Sequence, residues 1–133
     1  MAISACNTNP FLTEWTGADA FPPFDKIKTS DFVPAVKAGI EQQEAEVNAI
    51  VTNEAAPTFE NTIAAYELSG EILAKTLGVL YNVSESDATP EMQAVMDEVT
   101  PLLTASSDNI FMNKAFFERV KAVYADSSSL DRE

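Results

Sequence analysis

The chain has 133 residues, 46% of them hydrophobic and 22% charged, a balance that suits one globular domain and excludes a disordered one. With one cysteine and no histidine, it has no internal disulfide, no His-ligated zinc and no Ser-His-Asp or Cys-His nucleophile, and no metal or other cofactor is expected in this chain. A formal charge of −13 argues against nucleic acid as a partner, because phosphate binding needs clustered Lys and Arg.

Residues 1–28 read as an extended lead-in. They hold Pro10, Pro22 and Pro23 and no sustained periodicity, and Asn7 to Lys28 is expected to be irregular. Its aromatics, Phe11, Trp15, Phe21 and Phe24, are placed to pin it onto a helical body. At its start, Ile3-Ser4-Ala5-Cys6 resembles a bacterial lipobox, in which a small residue precedes the cysteine that becomes lipidated. The charged and long apolar parts of a signal peptide do not precede it, so Cys6 is a lipidation candidate for a native precursor and not for the chain as it stands.

From Thr29 the pattern becomes helical. Asp31 is the expected N-cap of a first helix, with Pro34 at its third position, where a missing N–H costs little. Val33, Val36, Ile40, Val47, Ile50 and Val51 share one face, and Glu41, Glu44 and Glu46 fall off it. This helix is expected to stop near Asn53, ahead of Ala56-Pro57. The Glu41 and Glu44 pair lacks a third ligand and reads as a solvated face.

Thr58 is the expected cap of a second helix starting at Phe59, with Glu60 complementing the dipole in the first turn. Ile63, Tyr66, Gly70, Leu73, Leu77 and Leu80 form a continuous seam at spacings of three and four. Gly70 then lies inside the helix and lets a neighbour approach, and this helix is the candidate central element. Thr89-Pro90-Glu91 opens a third helix, carrying Met92, Val95, Met96, Val99, Leu102 and Leu103. Pro101 is expected to kink it, or to break it with Thr100 as a new cap. Asn113 caps a fourth helix bearing Phe116, Phe117, Val120, Val123 and Tyr124.

The sequence contains no strand-like alternation, phosphate loop or internal repeat. The expected fold is all-α, about four helices in an antiparallel bundle after an irregular N-terminal segment. Residues 29–126 make the helical domain, and 127–133 (Ser127-Ser128-Ser129-Leu130-Asp131-Arg132-Glu133) read as the capped start of a further, truncated helix. Between Ala38 and Asn113 lie 13 acidic residues and one base, Lys75. Solvated helix faces account for this most simply, and a standalone acidic module for a basic partner is the alternative.

Pro57-Thr58-Phe59-Glu60-Asn61-Thr62-Ile63, continuing through Gly70 to Leu73, closely resembles the N-terminal helical region of bacterial dipeptidyl carboxypeptidases, in the thimet oligopeptidase family of zinc metallopeptidases. The resemblance runs from Asn9 to Tyr124 and includes Asn9-Pro10, Pro23-Phe24-Asp25-Lys26-Ile27, Asp31-Phe32-Val33-Pro34-Ala35, Gly39-Ile40 with Gln43, Val99-Thr100-Pro101 and Phe117-Glu118-Arg119-Val120. Phe59 favours the dipeptidyl carboxypeptidase branch over oligopeptidase A. The resemblance implies a hydrolase with a deep channel that removes C-terminal dipeptides from oligopeptides, using zinc held by an HExxH helix and a downstream glutamate. No catalytic or metal residue carries over to this sequence. It is therefore expected to be the non-catalytic N-terminal helical domain of a larger enzyme, inactive alone, with the C-terminal catalytic part of the same polypeptide as its partner. The expected location is the bacterial cell envelope or periplasm, with a lipid anchor at Cys6, and the cytoplasm is the alternative.

Overall fold

Phe32–Val51 forms α1, a helix of 20 residues and about 30 Å. The computed structural model, which describes residues 8–16 and 20–126, places every later helix against it. After α1 come a π-type turn at Phe59–Ala64 and a short helix, α2, at Ala65–Glu67. The longer helices α3 (Glu71–Ser86), α4 (Pro90–Phe111) and α5 (Lys114–Ala125) follow, and no strand occurs among the described residues. The architecture is all-α, with four long helices, as the periodicity predicts.

The helix starts follow local chemistry. Thr89 Oγ1 accepts from the Met92 amide and Pro90 occupies the first helical position. Asn113 Oδ1 accepts from the Phe116 amide at the start of α5. Asp31 departs from expectation: it ends a 3-10 turn, Thr29–Asp31, and its carboxylate accepts from the Lys28 amide rather than from α1. The cap is spent on the turn that feeds the helix. Pro101 does not break α4, which runs unbroken, and Thr100 Oγ1 bonds back to the Met96 carbonyl instead of capping a restart.

The largest departure concerns residues 59–86. The seam does not lie on one helix, because Gly70 sits at φ 71°, the left-handed region that terminates a helix, and separates α2 from α3. Ser69 helps close the preceding turn, its amide and its hydroxyl both donating to the Tyr66 carbonyl. The close helix approach expected at Gly70 is found at Gly39 on α1, where a Cβ would lie 2.8 Å from the Leu73 backbone of α3. The central element is accordingly α1, which packs on α3, α4 and α5, and not the helix that begins at Phe59.

Two apolar clusters line α1. The first joins Phe11, Phe32, Ala35 and Val36 to Leu73, Val79 and Leu80 of α3 and to Met92, Val95 and Val99 of α4. The second comprises Val47, Ile50, Ile110 and Phe116, with Tyr66 and Val120 packed on it. The lead-in joins the first through Phe11, fully buried and 5.3 Å from Phe32 ring to ring, and through half-buried Trp15. Phe21 and Phe24 do not pin it; they are 73% and 55% exposed. Lys75, the one base in the acidic stretch, lies 5.1 Å over the Trp15 ring and donates to the Thr13 carbonyl at 3.0 Å. Cation and ring together clamp the lead-in to α3.

Candidate functional site

The motif at 57–63 is where the sequence carries most specificity, and the structure makes it a polar hub. Pro57 is half-buried and precedes Thr58, whose extended backbone turns the chain into the π-type turn. Thr58 Oγ1 accepts from the Asn61 amide at 3.1 Å, and Asn61 Oδ1 accepts from the Thr58 amide at 2.8 Å. This reciprocal pair is a capping box with asparagine in the usual Glu/Gln place. Asn61 Oδ1 also accepts from the buried Thr62 hydroxyl, and its Nδ2 donates to the Ala56 carbonyl.

The hub closes through α5. Arg119 Nη1 donates to the Asn53 and Ala55 carbonyls, and Nη2 donates to Asn61 Oδ1 at 3.2 Å. One guanidinium thus fastens the α1–α2 loop to the last described helix, a task suited to its planar fork of donors. Its Nε is buried and has no hydrogen-bond partner. Of the remaining motif residues, Glu60 is exposed in the first turn, Ile63 is half-buried, and Phe59 is 46% exposed.

A second polar knot surrounds Gly70. The start of α3 has no side-chain cap of its own, and α1 supplies the acceptors. Glu46 Oε2 accepts from the Gly70 amide at 2.7 Å, and Gln42 Oε1 accepts from the Ile72 amide at 3.2 Å. A carboxylate at a helix N-terminus is favoured by the free amides and the dipole. Glu46 therefore serves the fold, whereas Glu41 and Glu44 are exposed, as the pattern predicts. Gln43 packs over Gly70, where a Cβ would come within 2.8 Å of its amide nitrogen.

Sequence reasoning located Thr58 and the motif but missed the bonds from Gln42, Glu46 and Arg119. Arg119 stood inside the resembling stretch Phe117-Glu118-Arg119-Val120, which was the available signal. Cys6 and the 127–133 segment lie outside the described residues. Among the described residues no group of three His, Cys, Asp or Glu side chains could hold a metal ion, and with no histidine the donor set does not fit a peptidase zinc site. Both knots join backbone to backbone through side chains, and Glu46, Asn53, Asn61 and Ser69 from the two line one shallow pocket between them. Their chemistry is positional.

No protein-family model matches the chain. Among curated proteins it is similar to dipeptidyl carboxypeptidase of Salmonella typhimurium, 36% identical over 124 residues, covering 93% of this chain and 18% of the relative. The chain is homologous to the N-terminal region of thimet oligopeptidase family enzymes. Dipeptidyl carboxypeptidase of Escherichia coli is 34% identical over 92% of the chain, again 18% of its own length. Oligopeptidase A of Salmonella typhimurium is 27% identical over 75% of the chain and 14% of its own length. The chain thus spans about a fifth of the length of the curated relatives it matches. These homologues are peptidases, as the motif at Pro57 implies.

Proposed function

We propose that this chain is the non-catalytic N-terminal helical domain of a zinc metallopeptidase that releases C-terminal dipeptides from oligopeptides. The observation that carries this reading is 36% identity to a dipeptidyl carboxypeptidase across 93% of the chain, within only 18% of the relative. The sequence supports the division of labour, since it has no histidine for an HExxH motif and spends its most specific residues on the Asn61–Arg119 hub. The zinc and the chemistry it supplies, activation of a water toward the peptide carbonyl, would reside in a C-terminal catalytic part. This chain's residues hold the helical body to which that part is joined.

The test compares the 133-residue chain with the complete polypeptide encoded by its gene. The complete polypeptide should release dipeptides from a blocked-N-terminus oligopeptide and stop when a chelator is added, and the short chain should do neither. A gene whose reading frame lacks HExxH, or dipeptide release by the short chain itself, would overturn the reading.

Export to the cell envelope with a lipid on Cys6 belongs to the same proposal and is supported by Ile3-Ser4-Ala5-Cys6 alone. Metabolic labelling with a fatty acid should mark the native protein and should not mark Cys6→Ser. Equal labelling, or native protein confined to the cytoplasm, removes the anchor. None of the described helices is long and apolar enough to cross a membrane.

A further inference from the structure

An apolar groove of about 260 Å³ lies between α3 and α4. Leu73, Leu77 and Tyr81 form one wall, Leu103, Ser106 and Phe111 the other, and α1 supplies Gln43. Tyr66 stands at one end, edge-on to Phe111 at 6.5 Å between ring centroids. Both helices pack on α1, so the gap between them is floored but not filled.

Two observations mark this groove as an interface. Its two walls expose large aromatic side chains, Phe111 at 66% and Tyr81 at 45%. Clustered exposure of this kind signals a partner, whereas scattered single residues do not. Ser106 lines the groove, is 4% exposed, and has an Oγ that is buried without a hydrogen-bond partner. A buried hydroxyl without a partner is costly, and a donor or acceptor on an incoming segment would satisfy it.

Net charge and polypeptide length distinguish the occupants. A second copy is disfavoured, because each chain carries a formal charge of −13 and the stretch from Ala38 to Asn113, with α3, α4 and most of α1, holds 13 acids and one base. A partner of opposite charge fits a chain of that net charge. Some four-fifths of the length of the matched relatives lies outside the region this chain covers, which supplies ample polypeptide to fill the groove. We propose that the α3–α4 groove receives an apolar segment flanked by Lys or Arg, contributed by a later part of the same polypeptide, with a polar group placed against Ser106. This rests on the proposed function only in requiring a longer native polypeptide.

Hydroxyl-radical footprinting, dosed against free phenylalanine, reads the surface directly in the 133-residue chain and in the complete polypeptide. Labelling of Tyr81 and Phe111 should fall several-fold in the complete polypeptide, and Phe111→Glu there should return Tyr81 toward the level in the short chain. Equal labelling in both forms overturns the proposal. So does labelling of the short chain that falls as its own concentration rises, since the occupant is then a second copy. Dipeptide release measured on the same preparation separates the two readings. Protection without peptidase activity keeps the groove assignment and loses the enzyme, whereas activity without protection loses the groove assignment alone.

Discussion

Around the first half of α1, ten buried residues from the lead-in, α1, α3 and α4 make one continuous apolar cluster. Around its second half only four buried residues do the same task, and the Asn61–Arg119 hub stands beside them. The first region is held by area removed from water and by the close contact at Gly39; its order comes from packing. The second buries less and is fastened by hydrogen bonds from Arg119 to the Asn53 and Ala55 carbonyls. A helical domain of this size can thus be firm at one end and merely well defined at the other, and the two ends should fail differently.

The strongest way to break the contrast is at Phe11. Phe11→Ala removes a fully buried ring from the larger cluster and should cost about 4 kcal/mol, the middle of the range for Phe→Ala in cores. A denaturation midpoint that falls for the whole molecule, with Trp15 fluorescence shifting in the same transition, is the expected outcome. A lead-in that detaches while the helices keep their midpoint would show that the first cluster does not depend on it.

Gly39→Ala follows, at about 2 kcal/mol, because the added methyl meets the Leu73 backbone rather than a yielding side chain. It too should lower the global midpoint. By contrast, Arg119→Ala should also cost about 2 kcal/mol yet act locally, since it strips a charged donor from the Asn53 and Ala55 carbonyls and from Asn61. Amide exchange should accelerate across 53–67 while amides of α3 keep their protection. Uniform acceleration would mean that the two halves of α1 unfold as one unit.

Thr58→Ala sharpens the same point at smaller scale, about 1 kcal/mol for a lost cap, again read as faster exchange in the π-type turn. Smallest of all is Lys37→Ala. The Lys37–Glu98 bridge is more than half exposed on both sides, so its loss should move the midpoint by less than about 0.5 kcal/mol.

What was legible in the sequence was what the chain decides within a few residues. Thr58, Thr89-Pro90 and Asn113 were read correctly as caps because donor and acceptor lie three residues apart. The all-α class followed from periodicity. The misreadings share a different cause. The seam from Ile63 to Leu80 keeps a helical spacing across a left-handed glycine, and spacing alone does not distinguish an interrupted helix from a continuous one. Glu46 looks like any solvated glutamate until α3 is laid beside α1, and Arg119 until the α1–α2 loop passes under it. Which helix is central is also a question of tertiary contact, and α1 has no stronger periodicity to announce it. The motif at Pro57 was visible as a resemblance, but its role as a backbone hub required the geometry of Asn61.

The start of α3 has a consequence for how the chain acquires its shape. Its first amides are satisfied by residues 24 and 30 positions earlier, so its N-terminal acceptors come from α1 and not from a cap of its own. A free peptide of residues 71–86 would fray at its beginning, for it pays the cost of nucleation without the acceptors that offset it. The α1–α3 pair is therefore expected to order as a single kinetic unit, with α1 acting as template for the register of its neighbour. Substitutions at Gln42 or Glu46 would then slow the assembly of a helix they do not belong to.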